Sequence, residues 1–152
     1  MDKKITIMIV LASLALLSGF IFWASKPSSP QPQSGDVIST NGLHWHPHLT
    51  IIIKGEEQEI PKDIGIAAVH NPLHTHDDTG TIHLEFTGLV KKDGLKLGQF
   101  FKVWEKKFSS GCIFEFCNGE KGQVKMTVNG RENKDFENYV MRDKDKIVIN
   151  YN

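Results

Sequence analysis

Residues 5–23, ITIMIVLASLALLSGFIFW, run for 19 positions without a charge, and no other feature restricts the folding of this chain so strongly. At about 1.5 Å of rise per residue, a helix of that length just spans the hydrocarbon core of a bilayer. Lys3 and Lys4 precede it, as basic residues precede both an uncleaved signal-anchor and a secretory signal peptide. Two features favour retention. The run is long for the apolar part of a signal peptide, and FIFWASK offers bulky residues where a cleavage site wants small ones. No cysteine follows LLSG, which excludes a lipoprotein anchor. Under either reading residues 1–4 stay in the cytoplasm and the rest is expected outside it. Retention makes this a single-pass protein of the cell membrane, tied to the bilayer through its N-terminal helix.

ASKPSSPQPQSG, residues 24–35, is a Pro/Ser/Gln linker that buries no core. What remains, residues 36–152, suffices for one ordinary domain. It carries 15 Lys/Arg against 17 Asp/Glu, because Lys3, Lys4, Lys26 and Asp2 all lie before it. That slight acidic excess argues against a nucleic-acid partner, which would require a basic face.

Within the domain, Leu49 to Lys54 reads as a strand, followed by a turn at Gly55 and a short second strand ending at Pro61. KDIGI is loop-like, TIHLEF is β-branched and alternating, and KKDG makes a turn. LGQFFKVWEKKF is the one good helix of the domain. It places Leu97, Phe100, Phe101, Trp104 and Phe108 on one face, with Lys102, Glu105 and Lys106 opposite. CIFEFC, QVKMTVNG and DKIVINY are three further strands, with VNGRE a turn. The expected fold is α+β: a mostly antiparallel sheet with one packed helix, in a layout that resembles a β-grasp arrangement.

All seven histidines fall between His44 and His83. In HTHDDTGTIHLEF, alternation along a strand puts His74 and His76 on one side, and likewise His83 and Glu85. If DDTG is a four-residue hairpin loop, His76 pairs with Thr81 and His74 with His83, so three imidazoles converge with Glu85 at their edge. Slippage of the register by one residue would split the set. In HWHPH, His44, His46 and His48 alternate with Trp45 and Pro47, and the histidines turn away from the core side shared by Trp45, Leu49, Ile51 and Ile53. His70, in the approach loop, can join either group.

Three imidazoles so placed can close on one ion at about 2.0–2.1 Å. An all-histidine set in an oxidising compartment suits Cu(II) or Zn(II), the expected cofactor. Metal handling or sensing is the function this favours. A metal-dependent enzyme, of hydrolase or oxygenase type, is the alternative: three histidines with an open position describe catalytic zinc, with Glu85, Asp77 or Asp78 as general base. Two histidines with a carboxylate would instead suit non-haem iron. Without metal, the cluster reads as a pH-responsive interaction module, since crowded imidazoles repel once protonated.

Cys112 and Cys117 are the only cysteines, and outside the cytoplasm a disulfide is favoured over thiolate metal ligands. Five residues of straight strand would hold their Cα atoms about 16 Å apart, so the bond requires a bend between them.

HWHPHLTIII, IPKDIGI, LHTHDDTGTIHLEF, LGQFFKVW and VNG, in this order, resemble the pattern HxHxHL, IPxxIGI, LHTHDxTGxIHxE, LGxFFxxW and VNG of a family of His-rich, secreted or membrane-anchored prokaryotic proteins. The pattern covers nearly all of residues 36–152. It implies that His44, His46, His48, His74, His76 and His83 belong to one shared site, and it implies no particular activity. The cupin motif also has HxH followed by a glutamate, but its spacing differs and its glycines are missing here.

Overall fold

The computed structural model describes residues 34–152, and Lys3 besides. The expected membrane helix over 5–23 and nearly all of the linker lie outside the described residues. Among the described residues, no helix is long and apolar enough to cross a membrane.

The described domain contains, in order, β1 (Val37–Ser39), β2 (Leu43–Trp45), β3 (His48–Ile53), β4 (Glu56–Gln58), β5 (Leu73–His74), β6 (His83–Phe86) and β7 (Val90–Lys91). Among residues 34–152 a single α-helix, α1 (Leu97–Val103), follows. Then come β8 (Phe108–Ser109), β9 (Cys112–Ile113), β10 (Phe116–Cys117), β11 (Val124–Val128), β12 (Arg131–Glu132) and β13 (Lys146–Tyr151). The domain is thus α+β, mostly sheet with one helix.

The main sheet has the order β12-β11-β13-β3-β4. Its two central strands run parallel, with Leu49 opposite Ile147 and Ile51 opposite Ile149, and every other pairing in it is antiparallel. Alternation explains which face is buried. Leu49, Ile51 and Ile53 of β3, Ile147, Ile149 and Tyr151 of β13, and Val124, Met126 and Val128 of β11 all turn into the core. Leu97, Phe100 and Phe101 of α1 belong to the same buried cluster. Burial of each such side chain contributes roughly 1.5–3 kcal/mol. Both outer hairpins close on two residues at positive φ, Lys54–Gly55 and Asn129–Gly130, the turn whose twist matches the flanking strands.

Two expectations are corrected. The helix stops at Val103 instead of continuing to Phe108. Glu105 enters the left-handed region at φ 57°, its N–H donates to the Lys102 carbonyl, and the Lys106 N–H donates to the Phe101 carbonyl at 2.9 Å. These paired bonds form a Schellman stop, made here without the usual glycine. Phe108 still reaches the aromatic cluster, stacked on Phe101 with ring centroids 4.5 Å apart, but from a strand. CIFEFC, in turn, is not one strand. It folds into the β9–β10 hairpin, in which Cys112 opposes Cys117 and Ile113 opposes Phe116. Phe114, at φ 53°, supplies the bend. The cysteines are disulfide-bonded, with Cα atoms 4.0 Å apart.

A second, three-stranded sheet has the order β2-β6-β5. Leu73, Ile82 and Leu84 are buried in the core from this sheet, and Trp45 packs half-buried against it. Gly80 ties the tip of the intervening loop to β3, its carbonyl accepting the Leu49 N–H at 2.8 Å. At φ +84° it adopts a conformation that suits glycine, and a Cβ there would collide with the Leu49 carbonyl oxygen.

Candidate metal centre

The outer face of the three-stranded sheet carries the histidines. In its antiparallel register His44 opposes Glu85, Trp45 opposes Leu84, Leu73 opposes Leu84, and His74 opposes His83. With Leu73 and Leu84 committed to the core, His44, Glu85, His83 and His74 must share the other side. His46 and His76 continue that side beyond the strand ends. Between His74 and His76, Thr75 is fully buried. Its hydroxyl donates to the Pro61 carbonyl at 2.8 Å and accepts the Ile64 N–H at 3.1 Å. That inward anchor is what turns both neighbouring imidazoles outward.

The rings form a continuous cluster around His83. Their centroids lie 4.6 Å apart for His44–His46, 4.8 Å for His46–His83, 4.6 Å for His76–His83, 4.7 Å for His74–His76 and 5.4 Å for His74–His83. Glu85 Oε1 sits 2.9 Å from His44 Nε2, 3.8 Å from His83 Nδ1 and 4.0 Å from His74 Nε2. The floor is closed and the rim is open: the His74 side chain is 1% exposed and that of His44 61%.

Two hydrogen bonds prepare ligand atoms. The Asn71 carbonyl, which can only accept, lies 2.9 Å from His74 Nδ1. His74 therefore donates from Nδ1 and directs the lone pair of Nε2 into the cluster, the arrangement that orients metal-ligating histidines elsewhere. His76 Nε2 lies 3.1 Å from that nitrogen. On the far side, the main-chain N–H of His46 donates to Asp143 Oδ1 at 2.9 Å, and His46 Nδ1 lies 3.9 Å from the same oxygen.

His83 Nδ1 is buried and, among the described residues, has no hydrogen-bond partner. A buried nitrogen left unpaired is unfavourable, and a ligand at this point removes the penalty. Burial first, then His76, His46 and His74, hold the His83 imidazole below the ordinary histidine range, against the opposing pull of Glu85. The neutral ring keeps the lone pair that coordination requires.

Two groups of side chains on this face could hold a metal ion: His74, His76, His83 and Glu85, and His44, His46 and His83, with the ligand atoms of each within 4.8 Å of one another. Tetrahedral ligands at about 2.05 Å from an ion stand about 3.3 Å apart. The His74–His76 pair is already at that separation, and the remainder is within the reach of side-chain rotation.

Other expected residues lie elsewhere. His48 is in neither group. After the buried Pro47, its N–H donates to the Asp145 carbonyl at 2.8 Å and it begins β3, so it leaves the plane of the histidine sheet. Thr81, expected opposite His76, bridges His48 instead. His70 is exposed in the approach loop, 6.0 Å from the His74 ring. Asp77 organises the loop: its Oδ1 accepts the Thr79 N–H at 3.0 Å and the Thr79 hydroxyl at 2.6 Å. Those bonds hold its carboxyl below the usual range, which makes it a weak general base. No local pattern marks Asn71, Thr75 or Asp143 as part of the site. Asp143 lies 97 residues from His46, and only the fold unites them.

Comparison of the chain with protein-family models, with curated proteins and with solved structures yields no match in any of the three.

Proposed function

We propose that this chain is a membrane-anchored, extracytoplasmic protein that binds Cu(II) or Zn(II) on the histidine face and acts in the handling or sensing of that metal. One observation carries the reading. His74 is buried with Nδ1–H committed to a carbonyl and Nε2 turned toward His76 and His83, whose own buried Nδ1 has no partner. A cluster of this kind is unfavourable empty and is relieved by a cation that accepts lone pairs. The uncharged run at residues 5–23 and the Pro/Ser/Gln linker support anchoring and an outward-facing domain. The main-sheet order, with its two central strands parallel between antiparallel hairpins, we read as a β-grasp arrangement.

Catalysis by the same face would need a carboxylate free to act as base. Glu85 is instead held at 2.9 Å from His44 Nε2. No histidine lines the depressions beside Phe116 and Tyr151, beside Gly94 and Val103, or beside Trp45 and Tyr139, although Asn71 borders the second and Asp143 the third.

The test is elemental analysis of the protein, purified without a polyhistidine tag, loaded with Cu(II) or Zn(II) and desalted. A His74→Ala/His76→Ala/His83→Ala variant is treated in parallel. Metal retained near stoichiometry by the wild type and lost by the variant is the expected result. No retention by either protein would refute the proposal and leave a pH-responsive interaction module as the better account.

A further inference from the structure

We infer that the histidine face is a two-ion centre in which His83 is the ligand common to both ions. This rests on the metal-binding reading above and goes beyond it in stoichiometry and bridging. The two candidate groups share one member, His83. Its strand, β6, lies between β2 and β5, about 4.8 Å from each, so the His44/His46 pair and the His74/His76 pair stand on opposite sides of it. The ring distances repeat this: His46 and His76 are each within 4.8 Å of the His83 ring. Five imidazoles and Glu85 also exceed the four ligands that a tetrahedral ion takes.

An imidazole has two nitrogens and serves two ions only when neither is committed elsewhere. His74 fails that condition, because its Nδ1 is held by the Asn71 carbonyl. His83 Nδ1 has no partner, which leaves the ring free to use both nitrogens. When the second ion binds, the remaining ring proton of His83 passes to solvent and the ring bridges as an imidazolate. The inner ion, between His74, His76 and His83, fills first, since its His74 and His76 nitrogens already stand 3.1 Å apart. The outer ion takes His44, His46 and the second nitrogen of His83. Glu85, within 2.9 Å of His44 Nε2 and 3.8 Å of His83 Nδ1, lies between the two.

The experiment is titration of the full chain with Cu(II), with bound copper counted after desalting and the integrated electron paramagnetic resonance signal compared with it. Two coppers per chain with an integrated intensity well below two spins is the expected result, because an imidazolate couples the ions magnetically. The His44→Ala/His46→Ala variant removes only exposed and half-buried rings and should bind one copper with full single-spin intensity. One copper in the wild type would overturn the two-ion centre and leave single-ion binding intact. Two coppers at full two-spin intensity would overturn the bridge. No bound copper, with no zinc retained in a parallel titration, would overturn both this inference and the metal-binding reading.

Discussion

Replacing Asp145 tests whether a single carboxylate organises the loop that carries Asp143 to the histidine face. Asp145 is buried, and its two oxygens are fully used. Oδ2 accepts the Tyr139 hydroxyl at 2.6 Å and the Arg142 N–H at 2.8 Å, while Oδ1 accepts the Asn129 amide at 2.9 Å. Asparagine is nearly isosteric here and still cannot substitute. One of its two ends is a donor, and it must face either the Tyr139/Arg142 pair or the Asn129 amide. Asn129 cannot answer by flipping, because its own Oδ1 accepts the Lys146 N–H at 2.9 Å. Asp145→Asn therefore loses at least one charge-assisted bond and sets two donors together, a cost of about 2–3 kcal/mol. Asp145→Ala strands all three donors at the edge of the core. Partial access of water to them limits that loss to about 3–5 kcal/mol. Tyr139→Phe removes one bond and leaves the others, for about 1–2 kcal/mol. Urea unfolding of the chelator-treated proteins, with an unchanged dependence on denaturant, reads these differences directly. If Asp145→Asn and Asp145→Ala both fell within about 1 kcal/mol of the wild type, the reasoning would be wrong and the carboxylate incidental.

The depressed His83 imidazole gives the metal-free protein a pH dependence of definite sign. The unfolded chain takes up that proton near the ordinary histidine value, about 6.5, whereas the folded protein resists it until lower pH. Stability is therefore full above that value and is lost as pH falls through the folded pKa, and His83→Gln should flatten the profile in chelator. Tyr139 acts at the other end. Burial and the Asp145 carboxylate push its hydroxyl well above the usual range, so its contribution is full below about pH 10 and is lost as pH rises beyond it. Tyr139→Phe should remove that share of alkaline unfolding, measured as the difference between the two pH profiles. At the helix stop, Glu105 holds a left-handed conformation that glycine adopts freely, and Glu105→Gly should raise stability by roughly 1 kcal/mol in the same urea assay. Reducing the Cys112–Cys117 bond, which closes a small loop, should lower stability by about 2 kcal/mol.

Much of this was legible wherever a local period decided the outcome. HLTIII alternates so that its core face follows from the letters, and the His74–His83 pairing follows from counting outward from DDTG, although Thr81 bridges His48 and not His76. The readings failed where a backbone choice or a distant partner decided. Glu105 and Phe114 take left-handed conformations that composition does not signal, and they end a helix and fold a hairpin where a pattern alone would continue. His48 looks like the third member of HWHPH, yet the strand breaks at His46 and Pro47, and the bond to Asp145 draws His48 into the main sheet. Asn71 and Asp143 act through a carbonyl and through a contact across 97 residues, and neither kind of role leaves a mark on the local sequence.

The face that could hold a metal ion is carried by a sheet with an apolar core of its own. In small zinc domains the ion is the core, and the apo chain is unfolded. Here the sheet that presents the histidines and the loop beside it contribute Leu73, Ile82 and Leu84 to a core of buried apolar side chains that also draws on the main sheet, the smaller sheets and α1. Thr75 and Asn71 fix the outward direction of His74 and His76 through bonds that involve no ligand. His74 and His76 are thus oriented without an ion, so binding of a metal should add stability by mass action alone, about 2.7 kcal/mol at a hundredfold excess over Kd. Calorimetry distinguishes the two regimes. A cooperative transition in chelator that moves upward with added metal agrees with a preformed face, whereas a chain without a transition until metal is supplied would mean that the ion completes the fold.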